Sequence, residues 1–431
     1  MYESIYIVSL PKNHVEYLNS TSTNRWGKDI FFCSDPPGRK LGSGGGSVYA
    51  IKQARKQIRK SYHREIVINS DGESRRLPAY SVLGKVMMPL PIDGHEILLE
   101  SQIATIRTLL DADTDGFYRT AISSGDVLLK PGKFASLPHY DLLCIGAKGS
   151  LESASKHGVF IISSNADTFS SPILTLQKPT LQRLEELKNK YQIAIDSGLW
   201  LLSQRASDLL FKSSTEKDGN VHHFDLYTSF PHLIEKHELS MGIMYSPSDS
   251  GFYHFGSGTD LLKSAQSLGL DMKSGCWIDD SRLDDGWILT GENILTHIPS
   301  EMKGWELPKG ICVDLLPLKN RERCLRIYGI NDLFRGTAQE DSTTFVDASL
   351  AEFSKKANLP TDTDIYDLPL FPCSDNINTL SYLGEWLSKR NKASDRNKDK
   401  KALEAYLKLP KLSARELGGM TDFKQLYKDE K

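Results

Sequence analysis

The chain of 431 residues has little that would assign it to a specialised class of protein. Its six cysteines are scattered and include no C-x-x-C pair, which argues against a disulfide framework or a zinc site and favours reduced cytosolic thiols. The net charge is only −2, which argues against a broad non-specific nucleic-acid surface. The amino terminus lacks a basic region, and no apolar run approaches the length of a membrane span. These absences predict a soluble, cytoplasmic protein with neither a nucleic-acid nor a membrane partner.

The length exceeds what one core usually supports, so two or three domains are expected. Residues 65–202 alternate short apolar runs with helical segments, which favours an α/β fold with a mainly parallel, doubly wound sheet. Further along the chain, short apolar segments between turns predict a β-rich, solenoid-like domain, followed by a helical and charged segment. The predicted domains are 1–259, 260–348 and 349–431. Within the last, the mixed-charge run 389–401 is interpreted as a solvated or mobile linker.

Specific elements follow from the apolar periodicity of the first domain. The predicted buried strands are 66–69, 120–123, 141–145, 158–162, 173–176 and 199–202. The predicted helices are 96–110 and 179–191. In a parallel sheet, ligands bind beyond the carboxyl ends of the strands, so polar motifs at those ends are the candidates for chemistry.

A glycine-rich segment, Leu-Gly-Ser-Gly-Gly-Gly-Ser, occupies residues 41–47. Glycines let the backbone approach phosphate oxygens and point N–H groups at them. No Gly-Lys-Ser/Thr follows, and no clear strand precedes a G-x-G-x-x-G pattern, so neither a Walker A loop nor a Rossmann fingerprint is present. The segment is either a flexible turn or a phosphate-binding loop, and the candidate nucleotide-binding residues are Gly42, Ser43, Gly44, Gly45 and Gly46.

A second segment, Gly-Glu-Ser-Arg-Arg-Leu-Pro, occupies residues 72–78 and is followed by Gly84 and Lys85. A strand, a glycine turn, a basic pair and a lysine can place cations around a triphosphate at the edge of a sheet. We therefore predict catalytic roles for Arg75, Arg76 and Lys85, with Gly72 on the nucleotide side. The alternative is a surface loop with solvated arginines.

Ser124, Gly125 and Asp126 follow the strand predicted at 120–123. A carboxylate in this position can hold Mg²⁺, which typically binds one or two carboxylates together with substrate phosphates. Gly125 is a candidate nucleotide-binding residue and Asp126 the candidate metal ligand. The alternative is an ordinary Gly-Asp turn.

Further polar residues recur at predicted strand ends, where a shared cleft would form. His157 and Gly158 precede one strand, Lys178 follows another, and Asp196 lies between strand candidates. His254 stands between aromatic residues, a setting that is more typical of core packing than of ligand binding. Each of the others is compatible with a structural turn.

Taken in order, these segments resemble the sugar nucleotidyltransferases. They resemble most closely the guanylyltransferase half of bifunctional L-fucokinase/GDP-L-fucose pyrophosphorylases, over roughly four-fifths of the chain. The matching segments are 34–36, 40–46, 74–78, 84–85, 123–127, 157–160, 176–179, 196–203, 252–256, 310–314 and 328–329.

The resemblance implies a GT-A-like (Rossmann-like) domain followed by a parallel β-helix domain. It also implies a reaction in which GTP and L-fucose 1-phosphate give GDP-L-fucose and pyrophosphate. In that reading Arg75, Arg76 and Lys85 stabilise the leaving pyrophosphate, and Asp126 holds Mg²⁺. Lys178 is assigned to catalysis at the sugar phosphate. The other implied sugar-phosphate residues are His157, Gly158, Asp196 and His254, and the implied partner is an L-fucokinase domain or protein.

The chain departs from this family pattern at Asp71 and Glu73. These residues stand near the position where the family usually carries two adjacent glycines, and they would place two carboxylates beside the expected triphosphate. The departure favours an alternative function, that of a catalytically silent nucleotide- or sugar-phosphate-binding or regulatory module. A sugar kinase is disfavoured because the chain has no kinase phosphate loop.

Overall fold

The structure, a computed structural model, describes residues 2–21, 26–58, 60–130, 135–245, 251–390 and 396–429. The chain divides into a first unit of Met1–Asp71 and Val86–His254 and a second unit of Gly72–Lys85 and Phe255–Lys431. The short segment 72–85, which includes the basic pair, therefore belongs to the second unit. The structure groups the residues of the second and third predicted domains into this one unit, so the division at 259 and 348 stays a prediction.

The first unit contains most of the parallel pairing. Its strands are β1 (Ser4–Ser9), β2 (Ile30–Cys33), β3 (Arg64–Asn69), β4 (Pro89–Ile92), β5 (His95–Ile97), β6 (Tyr118–Ser124), β7 (Val127–Lys130), β8 (Leu142–Ala147), β9 (Gly158–Ser163), β10 (Phe169–Ser170), β11 (Leu174–Gln177), β12 (Tyr191–Ser203), β13 (Met241–Tyr245) and β14 (Gly251–His254). Its helices are α1 (Lys12–Ser20), α2 (Gly42–Gln57), α3 (Leu98–Asp111), α4 (Leu151–Ala154), α5 (Leu181–Lys188), α6 (Gln204–Ser214) and α7 (Leu226–Lys236).

The main sheet of the first unit runs in the order β10-β13-β8-β12-β6-β3-β1-β2. Strands β2, β1, β3 and β6 are parallel, whereas β12 is antiparallel to both β6 and β8. Strand β9 pairs antiparallel with β12 and with β11. The predicted strands and both predicted helices are confirmed in position. The predicted mainly parallel arrangement is correct for only one half of the sheet, because strands buried on both faces have the same apolar pattern in either direction.

The core of the first unit lies on both faces of this sheet. Trp200 of β12 is fully buried and packs among residues of α2, α6 and α7. On the other side, Leu184 and Leu187 of α5 pack against β9 and β12, which explains the apolar side predicted for that helix. At the start of helix α3, the carboxylate of Glu100 accepts the amides of Glu96 and Ile97, which precede the helix.

The second unit is built from shorter strands. They are β15 (Trp277–Asp279), β16 (Ile288–Leu289), β17 (Ile294–Thr296), β18 (Glu306–Leu307), β19 (Ile311–Pro317), β20 (Arg323–Gly329), β21 (Thr344–Phe345), β22 (Ala348–Ser349), β23 (Phe371–Ser374) and β24 (Lys411–Leu412). Its helices are α8 (Gly258–Ser267), α9 (Leu350–Ala357), α10 (Ile377–Ser388), α11 (Arg396–Lys408), α12 (Ala414–Met420) and α13 (Phe423–Asp429).

The central sheet of the second unit is mixed. Strands β15, β17 and β19 are parallel, and β19, β20, β23 and β24 continue the sheet in antiparallel pairs. A second parallel pair joins β16 to β18. Residues 391–395 of the predicted linker lie outside the described residues, and residues 396–401 begin α11, so the linker prediction is wrong for that part. In the described part of the chain, no helix is long and apolar enough to cross a membrane.

Candidate functional site

The glycine-rich segment forms the first turns of helix α2 and not a separate loop. The amides of Gly44 and Gly45 both donate to the carbonyl of Phe224, at 3.0 and 3.1 Å. A Cβ at Gly45 would lie 2.5 Å from the carbonyl oxygen of His222. These two glycines therefore allow close packing of the helix against residues 222–224. Because their amides already donate to protein, the prediction that they cradle phosphate is wrong for this structure.

The neighbouring residues of the segment are also tied to the first unit. Gly42 has a φ of +73°, which favours glycine, and the hydroxyl of Ser43 accepts the amide of Leu226 at 2.8 Å. Gly46 faces a carboxyl group, since a Cβ there would lie 3.3 Å from Asp35. Nucleotide binding by these three residues stays a prediction.

Asp35 and Asp71 form a carboxyl pair at the ends of β2 and β3. The amide of Asp35 donates to the carboxylate of Asp71. Burial, together with the charge of Asp71, raises the pKa of Asp35 to about 7. Burial raises the pKa of Asp71 to about 6, although the amide of Asp35 partly offsets this rise. Asp35 was not singled out from the sequence, because nothing in its own surroundings indicates that a carboxyl from another strand end lies beside it.

The turn after β6 carries the predicted metal ligand. The amide of Gly125 donates to the carbonyl of Asn69 at 2.8 Å, and a Cβ there would lie 2.6 Å from Ser70. Gly125 thus serves the close approach of two strand ends. The carboxylate of Asp126 accepts the hydroxyl of Ser124 at 2.6 Å.

A histidine pair stands next to this carboxylate. His254 lies on β14, which pairs with β7, and its Nε2 is 3.8 Å from the carboxylate of Asp126. The ring of His157 contacts the ring of His254 at a centroid distance of 4.6 Å and nearly at right angles. It also contacts Phe252 edge-on at 5.6 Å. Both histidines therefore lie close to the predicted metal ligand.

Asp196 stands at an irregularity in β12. The register of this strand with β8 shifts between Asp196 and Trp200. One oxygen of Asp196 accepts both the indole N–H of Trp200 at 3.0 Å and the amide of Gly198 at 2.9 Å. Burial raises the pKa of Asp196 to about 6. The bulge thus holds a buried carboxyl group in a fixed direction.

Gly158 lies beside Asp196, and the backbone of Lys178 lies beside His157. A Cβ at Gly158 would meet Gln177 at 2.9 Å and the Cβ of Asp196 at 3.3 Å. Lys178 has a φ of +47°, and its amide donates to the carbonyl of His157 at 3.0 Å. Its side chain is exposed. At this positive φ the backbone turns away from the direction of β11. The backbone of Lys178 therefore lies next to His157 of the histidine pair.

The structure thus brings together six of the residues predicted from the sequence. We call them the strand-end cluster: Asp126, His157, Gly158, Lys178, Asp196 and His254. Tyr227 of α7 adjoins this cluster, because the charges of Asp196 and Asp126 both contribute to a raised pKa of its hydroxyl, after the larger effect of burial. That hydroxyl donates to the carbonyl of Gly198 at 3.4 Å. Sequence reasoning missed Tyr227, and its helical setting offers no motif that could have identified it.

The strand-end cluster contains carboxylates and histidines, which are common metal ligands. Over the described ranges, no three side chains of His, Cys, Asp or Glu are arranged to hold a metal ion. A complete protein cage for Mg²⁺ is therefore not seen in that part of the chain. A single carboxylate such as Asp126 suits Mg²⁺ only where substrate phosphates supply the other ligands.

The predicted cations of the segment 72–85 have different surroundings within the second unit. The guanidinium of Arg75 binds the carboxylates of Glu73 at 2.8 Å and Asp364 at 2.9 Å and the carbonyl of Phe334 at 2.7 Å. It also lies over the ring of Tyr366, 4.3 Å from the centroid. The guanidinium of Arg75 is therefore occupied by contacts within the protein. This geometry does not support its predicted direct role at the triphosphate.

Arg76, Lys85 and Gly72 complete the segment. The side chain of Arg76 is exposed and makes no hydrogen bond or ion pair with any described residue. The ammonium of Lys85 donates to the carbonyl of Gly256 at 3.0 Å. Gly72 is exposed, and a Cβ there would meet nothing within 4 Å. Arg76 is thus the cation of this segment whose setting best suits contact with a ligand.

Glu73 does not stand as an isolated charge. It pairs with Arg75 at 2.8 Å and with Arg415 at 3.2 Å. The expectation that it opposes a bound triphosphate is therefore corrected: two guanidinium groups neutralise it. Asp71 lies in the first unit and contacts Asp35, as described above.

A cavity of about 610 Å³ lies elsewhere in the first unit. It is lined at the amino ends of β1, β3 and β6 by residues that include Ile5, Glu65 and Arg119. None of the predicted site residues lines it. The strand-end cluster instead lies at or near the turns that follow β6 and β11, where α/β sheets usually bind ligands.

The fucose pyrophosphorylase domain family matches residues 62–232. The chain is 26% identical over 484 residues to the L-fucokinase/L-fucose-1-P guanylyltransferase of Bacteroides fragilis, covering 98% of this chain and 50% of that protein. It is 22% identical over 510 residues to the bifunctional fucokinase/GDP-fucose pyrophosphorylase of Arabidopsis thaliana, covering 91% and 48%.

A third relative is the fucose-1-phosphate guanylyltransferase of Mus musculus, with 26% identity over 170 residues, covering 35% of this chain and 27% of that protein. The chain spans about half the length of the two bifunctional relatives. The resemblance to GDP-fucose pyrophosphorylase-type sugar nucleotidyltransferases that the sequence motifs predicted is thereby confirmed.

Proposed function

Since the chain carries a fucose pyrophosphorylase domain over residues 62–232, we propose that it transfers GMP from GTP to L-fucose 1-phosphate, giving GDP-L-fucose and pyrophosphate. The observation that carries this proposal is the strand-end cluster. Most of its members fall inside the matched residues, and they come together from the ends of β6, β9, β11 and β14 and from the bulge within β12. Such convergence is typical of a substrate site.

In the proposed reaction, a phosphate oxygen of L-fucose 1-phosphate attacks the α-phosphorus of GTP. The bond from that phosphorus to the bridging oxygen breaks, and pyrophosphate leaves with the electron pair. Arg76 would neutralise charge that develops on the leaving group, because an exposed guanidinium can donate to two phosphate oxygens. Lys85 contributes a second positive charge to the same segment.

Residues of the strand-end cluster would hold the sugar phosphate. The ammonium of Lys178 would pair with the phosphate, and His157 would donate a ring N–H to it. Asp196, whose pKa is about 6, and His254 would accept or donate hydrogen bonds on the sugar side. Gly158, which has no side chain, would bring its backbone close to Asp196 on this side of the site. On the nucleotide side, the proposed residues are Gly42, Ser43, Gly46 and Gly72; Gly125 is left out because its buried amide already donates to the carbonyl of Asn69.

Asp126 would hold Mg²⁺ together with substrate phosphates. When bound, the ion would polarise the α-phosphate and offset its negative charge. Asp126 itself would supply one carboxylate ligand. The hydroxyl of Ser124 donates to this carboxylate at 2.6 Å and orients it.

We further propose a GT-A-like first unit and a short β-helix-like stack in residues 277–313. The parallel pairs Ile278–Leu295, Leu295–Val313 and Ile288–Glu306 support the stack, because their partners are 17 or 18 residues apart and such regular offsets are expected of successive coils. A fucokinase domain or protein is the proposed partner, because the two bifunctional relatives carry that activity in their names. The proposed location is cytoplasmic, since all six cysteines are buried free thiols.

The test is a matrix of nucleoside triphosphates against sugar 1-phosphates, read by pyrophosphate release and by the mass of the product. We expect the highest rate with GTP and L-fucose 1-phosphate. Lys178→Ala should lower this rate, whereas Lys188→Ala, an exposed lysine on α5, should leave it unchanged. Binding of GTP without product from any pair would refute the proposed transferase and favour the catalytically silent module.

A further inference from the structure

Residues 71–77 have no regular secondary structure, although they carry the basic pair. Few backbone hydrogen bonds hold this stretch: the amide of Leu77 donates to the carbonyl of Ser74, the carbonyl of Leu77 accepts the amide of Tyr80, and the carbonyl of Arg76 accepts the amide of Gly258. Ser74 has a φ of +46°, which is unfavourable for a residue other than glycine. Side-chain contacts must therefore supply much of what fixes this conformation.

A group of side chains from the second unit supplies those contacts. We call it the arginine clamp, and it consists of Glu73, Arg75, Asp364, Tyr366, Asp367 and Arg415. Tyr366 contacts both guanidinium groups, with Arg75 at 4.3 Å and Arg415 at 5.1 Å from its ring centroid. Its hydroxyl also donates to the carbonyl of Glu73 at 3.4 Å.

The charges of the clamp alternate. Glu73 pairs with both arginines, Asp364 binds Arg75 at 2.9 Å, and Asp367 binds Arg415 through both carboxylate oxygens. Isolated exposed ion pairs contribute little, but a connected network around a ring loses less entropy for each added contact. Tyr366 is only 8% exposed and the side chain of Arg75 16%, so the centre of the network is shielded from water.

The clamp holds one arginine of the pair and leaves the next one exposed. Arg75 is fixed by four groups, and the side chain of the adjacent Arg76 has no partner among the described residues. We propose that Tyr366 and Arg415 are positioning residues that hold Arg76 in place for the polyphosphate of the nucleotide. This rests on the proposed function. The proposal also gives Glu73 a role. This residue departs from the family pattern, and its carboxylate forms ion pairs with both Arg75 and Arg415.

Hydrogen–deuterium exchange in the full chain tests the clamp directly. Tyr366→Leu and Arg415→Ala should each speed the exchange of the amides of Leu77 and Gly258, which donate to the carbonyls of Ser74 and Arg76, at least tenfold, whereas Tyr366→Phe, which keeps the ring, should leave it near the wild-type rate. The matched control is Lys309→Ala, because Lys309 makes an exposed ion pair with Glu292 in the same unit. Unchanged exchange in both Tyr366→Leu and Arg415→Ala would overturn the clamp.

Kinetics test the link to Arg76. For Arg415→Ala we expect kcat to fall about tenfold, with the KM for L-fucose 1-phosphate and the midpoint of thermal unfolding unchanged. Faster exchange with an unchanged kcat would overturn the positioning role. A fall in kcat that is matched by a loss of the whole folded state would also overturn it, because the clamp would then serve stability alone.

A binding experiment separates this inference from the proposed function. If the wild-type chain transfers nothing to any sugar phosphate, the transferase proposal fails, and calorimetry with inorganic triphosphate then decides the present one. The wild type should bind this probe, Arg76→Ala should lose most of the affinity, and Arg415→Ala should weaken it about tenfold. Equal affinities of the wild type and Arg415→Ala would overturn the positioning of Arg76.

Discussion

Replacing Asp71 with Asn should stabilise the first unit at alkaline pH. The carboxyl of Asp71 has a pKa of about 6 in the folded chain against an ordinary value of 3.8, because burial disfavours its ionised form. A group with a raised pKa stabilises the folded state fully below its unfolded pKa and loses that contribution as the pH rises through the folded value. The wild-type chain therefore becomes less stable between about pH 4 and pH 7.

The size of the effect follows from the shift. About two pKa units correspond to roughly 3 kcal/mol at full ionisation. Asn keeps an oxygen that can accept the amide of Asp35, so little hydrogen bonding is lost. Neutralising Asp71 also removes one of the two causes that raise the pKa of Asp35, so that carboxyl should titrate at a lower pH. In a unit of this size, the gain corresponds to a rise in Tm of roughly 5–10 °C at pH 8.

The measurement is a series of thermal and urea unfolding curves from pH 4.5 to pH 8. The stability difference between Asp71→Asn and the wild type should be smallest at pH 4.5, at roughly 1 kcal/mol, and grow as the pH rises. Asp218→Asn is the control, because hydrogen bonds from Asn220 lower the pKa of this exposed carboxyl, and its removal should not stabilise the chain. A difference that does not depend on pH, or an Asn variant that is less stable at pH 8, would refute the reasoning.

Three further predictions concern the two segments and the metal. Arg76→Ala should lower the rate of GMP transfer by roughly a hundredfold without changing Tm, whereas Arg75→Ala should lower Tm as well; the reverse pattern would exchange their roles. Gly45→Ala should cost roughly 1–3 kcal/mol of unfolding free energy, because its Cβ would meet a backbone carbonyl, while Gly72→Ala should be neutral; equal costs would contradict the packing argument. Asp126→Asn should weaken the dependence of GTP binding on Mg²⁺ in calorimetric titrations, and an unchanged Mg²⁺ titration would remove this carboxylate from the site.

Much of the first unit could be predicted from local patterns. The apolar runs at 66–69 and 199–202 identified buried strands because such runs need both faces of a sheet covered. The direction of β12 could not be predicted in this way, since a strand buried on both faces has the same composition whether it runs parallel or antiparallel. Polar residues next to these runs identified members of the strand-end cluster, because strand ends meet at the edges of a sheet.

The roles of single residues were harder to predict. Gly44 and Gly45 have the composition of a phosphate loop, but their partner is a carbonyl about 180 residues later in the chain. Arg75 and Arg76 are neighbours with the same chemistry, and only Tyr366 and its surroundings distinguish them. Such contacts depend on which distant segment packs against the motif. The residues that neighbour the motif in the sequence do not indicate that segment.

The second unit is built from two separate stretches of the chain, which the ribosome makes at different times. The chain leaves the first unit after Asp71 and returns at Val86, and the intervening segment has buried apolar side chains, including Leu77, Tyr80 and Leu83. The hydroxyl of Tyr80 donates to the carboxylate of Asp279 and accepts the indole N–H of Trp277, and both partners lie about 200 residues later in the chain. At roughly 5–20 residues per second, this segment is made many seconds before its partners emerge. During that interval the hydroxyl of Tyr80 lacks these two native partners, so the nascent chain presents a side chain on which chaperones can act.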